Sequence, residues 1–236
     1  MTTLTLPAAD RRGELRAGAR AMAPLAIGYL PFALLVGAAV AASTDPVAAW
    51  AATPAVYGGS VHLTILQMLR DGSGLAITVA VGALMNARLL VYSTALAPDW
   101  AGAPVRTRLL VAASVIDPSW LIADRRAAGP GGIAERRAHY TGAAVTLAAA
   151  WTTGVTAGAL LGAAGPALTE LAAAVPLCLV AVVAPHVRVP GGGLAVLAAG
   201  LTAVLARGLP PGFGLLLCMA AAAAAGLAGT AGRSPC

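Results

Sequence analysis

Lysine is absent from this chain: all 15 basic residues are arginines. Acidic residues are scarce too, nine in 236, and charged residues of all kinds make up only 10%. A soluble domain carries about 25%, so this share excludes an ordinary water-soluble globule. Without lysine no Gly-x-x-x-x-Gly-Lys phosphate loop exists, which excludes a Walker-type ATPase within the chain. Cysteine is nearly missing as well. Cys178, Cys218 and Cys236 form no C-x-x-C pair and the first two fall in apolar runs, so neither a disulfide framework nor a metal cluster is expected.

Most of what remains is hydrocarbon. Hydrophobic residues make up 59% of the chain and the mean hydropathy is +0.83. That is too apolar for an outer-membrane barrel, whose strands alternate apolar and polar. The expected fold is all-α: a polytopic integral membrane helix bundle. The net charge of +6 would suggest nucleic acid on a soluble protein. Here the arginines lie between apolar runs, so they are read as topology signals and no nucleic-acid partner is expected.

Runs long enough to span, about 17–25 residues each, fall at roughly 22–43, 47–69, 75–97, 141–163, 167–186 and 212–230. Two shorter ones, 107–123 and 192–206, fit tilted spans, half-helices or re-entrant segments. About seven transmembrane segments are expected, within six to eight, some of them interrupted. The first run exceeds the length of a signal-peptide core and reads as a retained helix. With eight spans and the N-terminus inside, eleven arginines fall on the cytoplasmic side. Three (Arg106, Arg108 and Arg207) fall on the far side, and Arg88 is left within a span. This favours a cytoplasmic N-terminus. The organisation is then a basic arm (1–20), a membrane domain (21–230) and a tail (231–236). The polar stretch 124–140 divides the membrane domain into halves 21–123 and 141–230. Two such halves suit a transporter built from repeats, although no internal sequence similarity supports it. Gly154, Gly158 and Gly162, spaced by four, mark one face for close helix packing.

Charges at membrane depth cost at least roughly 2.5–3.5 kcal/mol each, so they face a cavity or a partner. Arg88 is the one firmly intramembrane cation and Asp117, followed by Pro118, the comparable carboxylate. They either pair with each other or serve a substrate's carboxylate and amino groups. Asn86 and Tyr92 flank the arginine, with Tyr92 on its helical face. In "TPAVYGGSVH", Pro54, Gly58 and Gly59 interrupt a run that also carries Ser60 and His62. Interrupted helices at depth line cavities and offer backbone groups to anions, or the glycines simply serve packing. His62 is a proton carrier or a polar contact between helices. Glu170 and His186 are further polar residues in the last third.

Four of these stretches, in order, carry a family likeness. "GYLPFALLVG" (28–37) is similar to the Gly-x-x-Pro-Phe opening of the AzlC family of branched-chain amino-acid permeases, and "VYGGSVHL" (56–63) resembles its Phe-Ala-Gly-Ala-Ser-Gln-Phe segment. "NARLLVYSTALAP" (86–98) matches its Asn-x-Arg motif, and "IDPSW" (116–120) is similar to its Thr-Asp-Glu-Ser-Phe segment. His62 stands where the family has Gln, and Pro118 where it has a Glu. The resemblance covers the first half of the chain. It implies a subunit of the bacterial inner membrane that exports valine, leucine and isoleucine, in some members methionine, by proton-driven secondary transport. A small hydrophobic partner of the AzlD type works with such subunits. No cofactor, metal or catalytic residue is implied. The expected pathway residues are Asn86, Arg88, Tyr92, Asp117, His62, Gly58, Gly59 and Ser60.

Two rival readings remain. One is a structural or assembly subunit without its own transport path, for which Arg88 at depth is superfluous. The other is an intramembrane hydrolase using Ser60. Against it, Ser60 and His62 are two apart and point to different sides of a helix, and no Gly-x-Ser-x-Gly or His-Glu-x-x-His motif is present.

Overall fold

The structure is a computed structural model that describes residues 8–163, 184, 187–209 and 213–231. The elements among them are α1 (Ala8–Ala41), α2 (Pro46–Ala51), α3 (Thr53–Val56), α4 (Gly59–Arg70), α5 (Leu75–Asn86) and α6 (Arg88–Trp100). They continue as α7 (Val105–Ser114), α8 (Asp117–Ala127), α9 (Ile133–Ala163), α10 (Gly192–Leu205), one 3-10 turn (Ala206–Gly208) and α11 (Phe213–Ala231). The described residues are thus all-helical in class. The run expected at 167–186, with Glu170 and His186, lies outside the described residues.

Among the described residues two helices are long and apolar enough to cross a membrane, Arg11–Ala41 and Ile133–Ala163, or three when α5 and α6 count as one span broken at Ala87. Helix α1, with 34 residues, extends about 51 Å at 1.5 Å per residue, against a hydrocarbon core of about 30 Å. Its charged N-terminal turns therefore project beyond the apolar layer.

The chain forms two compact units, residues 1–63 with 85–165, and residues 64–84 with 166–236. In the second, α10 packs on α11. Gly191, with φ 79°, caps α10, and a side chain there would strike the Gly226 carbonyl.

The first unit is built on α1 and α9, which run parallel. Glycines decide the approach: a Cβ on Gly18 would strike the His139 carbonyl, on Gly142 the Leu15 carbonyl, and on Gly158 the Leu34 carbonyl. Gly162 lies against Ala38. Contacts that climb both helices together in this way require one direction. The four-residue glycine spacing thus serves backbone packing. Met22, Ala26, Ala143 and Leu147 fill the seam, with Ile122 from α8.

Two segments fold back on this pair. Residues 46–63, expected within a single span, form a first hairpin. Asp45 caps α2 by accepting from the Ala48 amide at 3.0 Å, and Pro46 opens the helix. After the turn at Tyr57 and Gly58, the first turn of α4 comes back beside α2, where His62 Nε2 meets the Ala49 carbonyl at 3.2 Å. Trp50 bonds Thr156 near the C-terminal end of α9, while Gly59 packs lower down, on Trp151.

Residues 105–127 form a second hairpin, held at its beginning and its end by the opposite terminus of α9. Trp100 and Ala103, just before α7, pack in a cluster with Tyr140. At the other end of the segment Arg126 bonds Glu14, which also holds His139. The hairpin turns at Val115 and Ile116. Ser119 Oγ accepts from the Ile116 amide at 2.9 Å and donates to the Ser114 or Ile116 carbonyl. Pro118 sits in the first turn of α8, where a missing N–H costs nothing.

This geometry corrects the arginine count. Arg106 and Arg108, assigned by sequence to the far side, open α7 a few residues after Asp99 and Trp100. Asp99 is bonded to Arg136 in the first turns of α9, so both arginines belong to the end that carries the N-terminal basic arm.

Candidate functional site

Helix α6 ends at Asp99 and Trp100, against the start of α9. Arg88, eleven residues earlier, lies about 16 Å away along the helix, roughly half the depth of a hydrocarbon core. The break at Ala87 places it there. Breaking a helix orphans the carbonyls of its last turn, and the Arg88 side chain takes one of them, donating from Nη1 to Met85 O at 3.0 Å. Its other face grips Asp117 in two parallel bonds, Nε to Oδ1 at 3.0 Å and Nη2 to Oδ2 at 2.9 Å. Tyr92, one turn on from Arg88, donates its hydroxyl to Asp117 Oδ1 at 3.1 Å and stacks on Trp120, rings 4.7 Å apart.

Of the two sequence alternatives for Arg88 and Asp117, the structure contains the direct pair. A bidentate, charge-assisted pair is the strongest form such a contact takes. The two side chains are 43% and 45% exposed within the chain. In water so open a pair contributes at most about 1 kcal/mol. Beside hydrocarbon the low dielectric makes the same contact far stronger. Asp117 also begins α8, where its charge complements the helix dipole, and Arg125 and Arg126 do the same at the other end. Asn86 closes α5 and takes no part in this network.

The remaining expected residues, Gly58, Gly59, Ser60 and His62, sit at the turn of the first hairpin. Gly59 is required there, since a Cβ would enter the Phe32 ring and come 2.9 Å from Trp151. Phe32 and Trp151 face each other at 6.4 Å. His62 is buried, with Nε2 on the Ala49 carbonyl. Among the described residues no hydrogen bond joins His62 to Ser60 or to the Arg88–Asp117 pair. The two groups are neighbours along α1 nonetheless. Tyr29 lies within electrostatic range of Asp117 and Arg88, and Phe32, three residues on, packs on Gly59.

Sequence reasoning missed Trp120, Trp151, Phe32 and Tyr57. Aromatic residues this rare had positions worth weighing, but nothing in spacing alone told a packing ring from a site ring. It also missed a polar cluster at the N-terminal end of α9. There Arg126 bonds Glu14 at 3.0 Å, Glu135 stands 3.6 Å from Arg126, and His139 Nδ1 meets Glu14 at 3.1 Å. The Arg126 hydrogen bond, and next to it that of His139, holds the Glu14 carboxyl below its ordinary value against an opposing effect of burial. Arg136 grips Asp99 at 2.7 and 3.0 Å, and Arg137 lies 5.4 Å over the Trp100 ring.

Compared with known proteins, the chain matches no curated sequence and no solved structure. The model of one family, AzlC protein, matches residues 24–164. That is more than half of the chain and takes in both hairpins, the Arg88–Asp117 pair and nearly all of the apolar stretch of α1 and α9. With a match of that extent laid over apolar helices of membrane length, the chain belongs to the AzlC family of membrane transport proteins.

Proposed function

We propose that the chain is the large subunit of a secondary transporter that exports branched-chain and other small apolar amino acids across the bacterial inner membrane. The observation that carries this reading is the bidentate Arg88–Asp117 pair, set at the N-termini of two half-length helices. Interrupted helices with charges at their ends are how many transporters build a site at mid-depth. The pair acts as a gate whose two members part for passage, and the proton gradient drives export. The basic end, where α1, α7 and α9 begin, faces the cytoplasm. The expected count of about seven segments then includes one that enters and leaves by one face, 107–123. A small AzlD-type subunit covers the half-exposed face of the ion pair.

The test is efflux. Cells loaded with a valine-containing dipeptide export valine faster with the gene than without it, and Arg88→Ala abolishes the difference. Equal accumulation in both strains refutes the substrate. Normal export by Arg88→Ala refutes the site.

The second reading, an assembly subunit, gains support from the bonds of Arg88 within the chain, where Nε and Nη2 donate to Asp117 and Nη1 to the Met85 carbonyl. Reconstitution separates the two. Transport by the small partner alone, unchanged when this chain is added, favours assembly.

A further inference from the structure

Three arginines near the start of α1, Arg12, Arg16 and Arg20, are spaced by four and so share one face of the helix. All three are exposed, and among the described residues none has a hydrogen bond or an ion pair. Glu14 and Gly18 each lie two residues from a member of this stripe, about 200° round the helix. Glu14 bonds Arg126 of α8, and Gly18 lies on the His139 carbonyl of α9. The protein thus packs on one side of α1 and leaves the arginine side open. Three acids at this end are engaged elsewhere. Glu14 is held by Arg126 and His139, Asp99 by Arg136, and Glu135 accepts from the Gly132 amide at 2.8 Å.

Further along, the same face turns apolar. Pro24, Ile27 and Pro31 follow Arg20 by four, seven and eleven residues, the spacing of one helical stripe. All are exposed, Ile27 by 66%. The open face is therefore cationic for about 12 Å and then hydrocarbon, the same order of layers as a lipid leaflet entered from its phosphates. Orienting a helix in the membrane requires arginines at one end, but not their alignment on one face. Alignment serves a ligand that lies along the helix. A guanidinium matches phosphate oxygens in a planar, two-bond geometry and sheds its water readily.

We propose that this face of α1 docks the phosphate groups of anionic phospholipids, with Arg12, Arg16 and Arg20 as the contacts. The proposal is independent of what is transported and requires only that α1 lies in a bilayer.

The test uses the purified full chain in nanodiscs of equimolar phosphatidylcholine and phosphatidylglycerol, with a spin label on one lipid or the other reporting retention at the protein. Wild type should retain phosphatidylglycerol about three- to tenfold over phosphatidylcholine, and high salt should reduce that preference. Arg16→Gln combined with Arg20→Gln should lower it about threefold or more. Arg106→Gln combined with Arg108→Gln removes the same charge from the same end, but from different sides of α7, and should lower it less than about twofold. Equal losses in the two double variants overturn the stripe and leave net charge as the cause. Equal retention of both lipids by wild type overturns it too, and leaves this face to an acidic protein segment. Should the variants misfold, a photoactivatable phosphatidylglycerol on wild type decides. Cross-links within residues 11–24 support the docking face, and cross-links only elsewhere refute it.

Discussion

Asp99 and Arg136 are joined by two hydrogen bonds of 2.7 and 3.0 Å, which fix the C-terminus of α6 at the N-terminus of α9. Because α9 runs parallel to α1, the chain arrives at Asp99 on the end where it began. The next segment, 105–127, leaves from that end and comes back to it.

This arrangement places Arg12 and Arg108 on one side of the membrane and Asp45 on the other. In a background with the three native cysteines replaced, an impermeant maleimide should label Arg12→Cys and Arg108→Cys from the same side and Asp45→Cys from the opposite one. Labelling of positions 12 and 108 from opposite sides refutes the second hairpin.

Removing one member of the Arg88–Asp117 pair strands the other. Arg88→Gln or Asp117→Asn alone is expected to cost about 1–3 kcal/mol, below the value for a fully buried pair because both side chains are half open. The double variant should recover most of that stability while remaining inactive in efflux. Chemical unfolding in mild detergent measures it, and additive losses in the double variant contradict the pair.

Tyr92→Phe keeps the stack on Trp120 and loses one hydrogen bond to Asp117. A loss of about 1 kcal/mol is expected, with export reduced and not abolished. If Tyr92→Phe matches Arg88→Ala in efflux, the hydroxyl has a larger role than bracing the carboxylate.

Gly59→Ala pushes a methyl into the Phe32 ring, and overpacking of this kind costs about 1–3 kcal/mol. Phe32→Leu in the same chain should restore part of it. Thermal midpoints of the two singles and the double give the coupling, and zero coupling removes this contact from the account.

Stability should fall on acidification through Glu14. Its carboxyl is held below its ordinary value by Arg126, so the folded state binds its proton less readily than the unfolded chain. The stabilisation is present above the ordinary carboxyl range and is lost as pH falls through the lower, folded value. Thermal unfolding of wild type followed downward from about pH 6 should show this acid loss, and Glu14→Gln should show less of it. Identical profiles place the acid sensitivity elsewhere.

The runs 22–43 and 141–163 were readable as continuous helices because no charged residue interrupts their length, and the glycines of 154–162 announced a helix contact. Arg88, Asp117 and Tyr92 were readable as a group, since charges so rare in hydrocarbon must meet something. The break at Ala87 was not: no proline or glycine marks it, and the guanidinium that satisfies the Met85 carbonyl is visible only once folded. The packing of Phe32 and Trp151 around Gly59 was equally silent, because an aromatic residue in an apolar run has the same signature whatever it packs on.

Composition alone thus determined that the chain is a helical membrane protein and which few polar residues matter, since desolvation makes every charge at depth costly wherever it lies. Only the tertiary structure decided direction. Hydropathy measures how much chain prefers hydrocarbon and carries no information on whether it passes through or turns back. That was decided by contacts distant in sequence: His62 on Ala49, Arg126 on Glu14, Arg136 on Asp99.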